Sequence, residues 1–138
     1  LVDKNTHSTN DFMDFIKKRL APFNDVPIIF TSVHEKQRIH KTLETAVKVY
    51  QNRIQKIKTN ALNEFFLPLI ESSPPPAIKG KYVKVKYITQ LPTHTPQFAF
   101  FCNLPQYINE PYKRFLENKM REHFDFSGVP ISFHFKKK

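Results

Sequence analysis

The sequence predicts a two-layer α+β domain of order α-β-β-α-β over residues 56–138. A helix–strand–helix precedes it over residues 1–55 and reads as the end of a larger parallel sheet. Three observations predict this. From Lys81 onward, three separate runs carry strand-like apolar residues, with helical-period stripes before and between them. Before Gln55, a single short apolar run sits between two helical stripes, and a lone strand is no sheet in itself. Charge also divides there: residues 1–55 hold nine Lys/Arg and six Asp/Glu, a net of +3, and residues 56–138 hold thirteen and six, a net of +7.

In the first part, Ser8 or Asn10 can cap a helix whose apolar positions are Phe12, Phe15, Ile16 and Leu20, and Pro22 ends it. Val26 to Phe30 is apolar and β-branched, the pattern of a strand buried on both faces. Ile39, Leu43, Ala46, Val47 and Tyr50 form one stripe of a second helix. An unpaired edge at Ile28 to Thr31 would be open to pairing with another copy, giving an artificial dimer.

In the second part, Thr59 can cap a helix with Leu62, Phe65, Phe66, Leu69 and Ile70 on one face. Pro68 inside that stripe removes an amide donor and predicts a kink or early termination. Pro74 to Pro76 is extended connection, and Gly80 turns the chain into a strand. Strict alternation from Lys81 puts Val83, Val85 and Tyr87 on one face and Tyr82, Lys84, Lys86 and Ile88 on the other. Phe98, Phe100 and Cys102 face inward on the next strand. Pro111 suits a helix start, followed by the stripe Tyr112, Phe115, Leu116, Met120 and Phe124, with Glu117 and Arg121 paired on the solvent face. Ile131, Phe133 and Phe135 alternate with Ser132, His134 and Lys136 in the last strand. One side of this sheet is left uncovered.

Composition excludes several classes. Fourteen Phe and five Tyr offer too much burial for a disordered tail, and two glycines count against a Gly-rich nucleotide fold. A lone cysteine, Cys102, rules out an internal disulfide and fits a reducing compartment. The longest apolar stretch, Phe98 to Cys102, is far too short to span a membrane. The first residue is Leu1 and not Met, which reads as a processed chain or a fragment.

No catalytic centre is legible. Cys102 falls on an inward strand face, where a thiol packs and does not react. Six histidines show no zinc-ligand spacing, so no metal is expected, and no carboxylate pair or glycine-rich phosphate loop is present. A net charge of +10 favours a polyanionic partner. The outward sheet face would mix Lys84, Lys86 and Lys136 with Tyr82, Phe101 and His134, extended by Lys79, Lys81, Lys137 and Lys138. Such a face suits nucleic acid, with cations on phosphates and rings on bases. It equally suits docking of another protein domain, with Tyr82, Ile88 and Phe101 as anchors. Lys113, Arg114 and Arg121 form a second basic group, better explained as solvated helix charge.

Several segments in this order resemble one family. Val26-Pro27-Ile28-Ile29-Phe30-Thr31-Ser32-Val33 looks like the last strand of a Ras-like GTPase domain with its fifth conserved box. Gln37-Arg38-Ile39 through Val49-Tyr50-Gln51-Asn52-Arg53 looks like that domain's final helix. Thr59, Leu62-Asn63, Pro74-Pro75-Pro76, Tyr87-Ile88-Thr89-Gln90 and Phe101-Cys102-Asn103 follow, then Tyr112 to Arg121 and Gly128-Val129-Pro130-Ile131. Together they resemble the C-terminal portion of the EngA/Der family, bacterial double-Era-like GTPases with two tandem G domains and a KH-like domain.

The resemblance implies a KH-like α-β-β-α-β domain at 56–138, preceded at 1–55 by the C-terminal helix-strand-helix of a Ras-like P-loop GTPase domain. It implies a cytoplasmic parent protein that uses GTP and magnesium, acting in late assembly of the large ribosomal subunit. Its partners would be that subunit, ribosomal RNA and the parent's own GTPase domains. Ser32-Val33 would be the remnant of the nucleotide site, where a backbone amide reads the guanine oxygen. The chain itself would hold no cofactor, bind no GTP and be inactive alone. Gly80 and Gly128 stand apart, so the backbone-clamping Gly-x-x-Gly loop of true KH domains is missing.

Overall fold

The structure, a computed structural model, describes residues 6–21, 23, 25–31 and 38–138. Two compact units divide the chain, Leu1–Lys48 and Val49–Lys138.

In the first unit, α1 runs Thr6–Leu20, and α2, Ile39–Ile54, begins. Ser8 and Asn10, either of which the sequence offers as the cap, therefore lie inside α1 and not at its start. The helix ends at Leu20 as the sequence predicts, while Pro22 lies outside the described residues. Asp25 to Thr31 carry no regular structure, so the strand expected at Val26–Phe30 is not formed. A strand is held by a ladder to a neighbouring strand, and among the described residues no strand pairs with Val26–Phe30. The strand edge expected at Ile28–Thr31 is absent with it. Both helices expose their apolar stripes: Phe12 and Phe15 on α1, and Leu43 (60%) and Val47 on α2.

The second unit holds the last turn of α2, then α3 (Thr59–Ser72), β1 (Val85–Gln90), β2 (Gln97–Cys102), a short 3-10 turn at Pro105–Tyr107, α4 (Glu110–His123) and β3 (Ser132–Lys137). From residue 56 this is the α-β-β-α-β order that the sequence predicts. The sheet order is β1-β2-β3, with β1 and β2 antiparallel and β2 and β3 parallel across the α4 crossover.

One core unites both layers. Leu62, Phe66 and Ile70 of α3 and Tyr112, Leu116 and Met120 of α4 pack with Val85, Ile88, Phe98, Phe100, Cys102 and Phe126. Aromatic edges fill it: Phe66 meets Phe100 at 5.1 Å, and Phe98 meets Phe126 at 5.9 Å, both edge-on. Asn109 caps α4 by accepting a hydrogen bond from the Tyr112 amide, and Pro111 sits in the first turn.

Two local expectations change. Lys58, not Thr59, occupies the α3 cap position, and the Thr59 hydroxyl lies 3.4 Å from that of Thr89 instead. Helix α3 also continues through Pro68 to Ser72 without early termination. Pro68 and Glu64, whose carbonyl faces the missing amide, are both exposed, so the hydrogen bond that the ring removes lies on the solvent side of the helix.

Candidate nucleic-acid interface

Pairing between β1 and β2 shifts register between Val85 and Tyr87. The bulge inserts Lys86 as an extra residue and reverses the alternation beyond it. Val85 and Ile88 therefore both enter the core, and Tyr87 moves to the outer face. Ile88 is 0% exposed, which corrects its expected place as a docking anchor. Strict alternation assigned the opposite faces because no Gly or Pro marks the bulge. The available signal was the Tyr87-Ile88 pair itself, since Ile is the better core residue of the two.

On the outer face the rings of Tyr87 and Phe101 stack at 4.5 Å with an interplanar angle of 21°. They are opposite each other in the β1–β2 ladder, and Lys136 is opposite Phe101 in the β2–β3 ladder. The Lys138 ammonium lies 4.4 Å from the centre of the Tyr87 ring. In the next row Thr89, Ala99 and His134 are in register, and His134 Nε2 is 3.0 Å from Gln97 Oε1. No carboxylate stands at the outward positions 87, 89, 97, 99, 101, 132, 134, 136 and 138.

The other candidate lysines lie elsewhere. Lys84 and Lys86 line an open groove of about 600 Å³ between α3 and β1, with Leu67, Ile70, Glu71 and Pro74. Lys79 and Gly80 both take positive φ in the tight turn between Ile78 and Lys81, and the Lys81 ammonium lies 5.8 Å from the Tyr107 ring centre. Tyr82, 76% exposed, precedes β1. Lys137 is opposite Cys102 at the end of β3. The expected basic face thus separates into an aromatic and cationic platform (Tyr87, Phe101, Lys136, Lys138), a groove pair and a turn pair. Ser32 and Val33 lie outside the described residues.

In the second basic group Arg114 is exposed, while Lys113 and Arg121 are held by partners. Lys113 pairs with Glu110 at 3.1 Å. Arg121, its side chain only 17% exposed, reaches Glu117 at 3.4 Å and donates to the carbonyls of Phe126 (3.1 Å) and Val129 (2.9 Å). It clamps the loop before β3 and is not solvated helix charge. Cys102 is buried as expected, and burial pushes its thiol pKa up, partly opposed by a backbone hydrogen bond from Leu104.

This arrangement has relatives. The family profile described as the KH-domain-like region of EngA bacterial GTPase enzymes, C-terminal, matches residues 56–136. The chain belongs to the EngA family. It is similar to proteins named GTPase Der from Christiangramia forsetii (60% identical over 138 residues), Flavobacterium johnsoniae (57% over 138) and Bacteroides fragilis (58% over 140). Each alignment covers all of this chain and 32% of the relative, so the chain spans about a third of the length of the curated relatives it matches.

Several of the amides among the residues that carry the EngA resemblance act as latches. Asn103 accepts from the Lys84 amide at 2.8 Å and donates to the Tyr82 carbonyl at 3.2 Å, holding residues 82–84 beside the sheet before β1 begins. Gln90 accepts from the Ile57 amide at 2.7 Å and donates to the Gln55 carbonyl at 3.0 Å, fixing the segment between α2 and α3. Asn52, buried at the end of α2, donates to the Ser127 carbonyl at 3.1 Å and to Asp125 at 3.4 Å. In this chain these side chains anchor segments that flank the sheet, and the rings and lysines stand on its outer face.

Proposed function

We propose that this chain is the C-terminal part of a protein that binds and hydrolyses GTP with magnesium and acts in the cytoplasm in late assembly of the large ribosomal subunit. The KH-like domain contacts ribosomal RNA and answers to the nucleotide state of the GTPase domains. The observation that carries this reading is a basic, carboxylate-free sheet face on a domain of the EngA family. Neutralising phosphates there releases counterions, which favours RNA over an uncharged partner. Residues 1–55 are then the end of the second GTPase domain, with Ser32 and Val33 at its guanine site. The exposed stripes of α1 and α2 are faces that the rest of that domain would cover. The chain by itself binds no GTP and is inactive. In the parent, the GTP phosphate is the ligand that favours one domain arrangement over the other and so hides or exposes the KH-like surface.

The test is sedimentation of the full-length protein with large-subunit particles in GTP and in GDP. Binding in one nucleotide state alone is the expected result, and equal binding or none in both overturns the reading. A second reading makes the domain chiefly a docking platform for the GTPase domains, favoured by the exposure of Tyr82. Phe101→Ser separates the two: weakened RNA binding favours the first, and loss of domain association alone favours the second.

A further inference from the structure

We infer that the outer sheet face is a stacking site for unpaired nucleobases, built by Tyr87 and Phe101, with Lys136 and Lys138 taking the flanking phosphates. This rests on the RNA reading above and narrows it to single-stranded segments.

The two rings are already stacked on each other, half-buried, on the sheet face opposite the core that α3 and α4 build. Prestacked rings on neighbouring strands lose little freedom when a further flat ring joins them. Every nucleobase has a π-face, so such a platform accepts bases with little regard to sequence. The two lysines sit where a strand crossing the ladder would bring its phosphates: Lys136 opposite Phe101, and Lys138 with its ammonium 4.4 Å from the Tyr87 ring. A duplex offers this face phosphates but no free base, because its bases are stacked inside and its major groove is too deep and narrow for side chains. An apolar protein surface laid on the same face would strip water from two ammoniums without supplying an anion. The isolated glycines, Gly80 and Gly128, leave no Gly-x-x-Gly backbone clamp to hold a single strand elsewhere.

The test compares binding of the chain to a short oligouridylate and to an RNA duplex of equal length, by fluorescence anisotropy across a salt series. Wild type binds both, the single strand more tightly. Tyr87→Leu and Phe101→Leu each lose about tenfold in affinity for the single strand with an unchanged salt slope, and their duplex binding does not change. Far-ultraviolet circular dichroism checks that both variants are folded. Lys136→Gln with Lys138→Gln instead flattens the salt slope for the single strand by about 0.7 per lysine. Equal loss of both RNAs in the leucine variants, or no loss at all, overturns the stacking site while leaving RNA contact intact. Failure of wild type to bind either RNA overturns the RNA reading itself.

Discussion

Asn63 of α3 holds both free backbone groups of Ile88 in β1. Its Oδ1 accepts from the Ile88 amide at 2.8 Å, and its Nδ2 donates to the Ile88 carbonyl at 3.0 Å and to the Thr59 carbonyl at 2.8 Å. β1 is an edge strand, so one helix side chain stands in for the missing neighbour at the residue whose own side chain is wholly buried.

Replacing that amide should cost stability out of proportion to its size. Asn63→Ala leaves a part-buried donor and acceptor unpaired, and we expect a loss of about 2–3 kcal/mol in urea unfolding. Asn63→Asp should not rescue it, because an ionised carboxylate accepts from the Ile88 amide but repels the carbonyl. A loss below about 0.5 kcal/mol, the scale of an ordinary surface substitution, would show the latch to be incidental.

The order of elements from α3 to β3 was legible because α3, β2 and α4 each bury one clean stripe. Leu62, Phe66 and Ile70, then Phe98, Phe100 and Cys102, then Tyr112, Leu116 and Met120 are read at their proper periods and are all buried. What escaped was set by tertiary context. The bulge at Lys86 follows from pairing with β2, which no local Gly or Pro announces, and it decided which of Tyr87 and Ile88 reached the outer face. Arg121 looked like half of a surface pair because its two carbonyl partners belong to a loop folded back onto α4. Val26–Phe30 has strand composition without a strand, since composition supplies no hydrogen-bonding neighbour.

Arg121 should behave as a structural clamp. Arg121→Lys keeps the charge but cannot fork to the Phe126 and Val129 carbonyls, so we expect a loss of about 1.5–3 kcal/mol in thermal or urea unfolding. The salt slope of RNA binding should not change. A flattened slope with unaltered stability would return Arg121 to the RNA-binding surface.

Tyr112 makes stability sensitive to alkali. Its hydroxyl donates to the Ser73 carbonyl at 2.8 Å, and burial pushes its pKa up to about 12 from an ordinary value of 10.0. The folded state keeps a proton that the unfolded chain releases near pH 10.0, so this contribution is full below pH 10.0 and is lost as pH rises toward about 12. In Tyr112→Phe the fall in stability over that interval should be shallower. Ultraviolet titration of wild type minus variant should show a phenol ionising near pH 12. A difference transition near pH 10 would mean that the hydroxyl is not held in the core.

Whether the outer sheet face meets RNA phosphates is tested most directly by the salt dependence of binding to large-subunit ribosomal RNA. Wild type is compared with Lys136→Glu/Lys138→Glu on that face and with Lys84→Glu/Lys86→Glu in the groove between α3 and β1. Affinity of wild type should fall steeply with salt, and the slope should flatten most in the Lys136/Lys138 variant. Identical slopes in wild type and that variant, or no binding by wild type, would contradict a phosphate-binding role for the face that carries Tyr87 and Phe101.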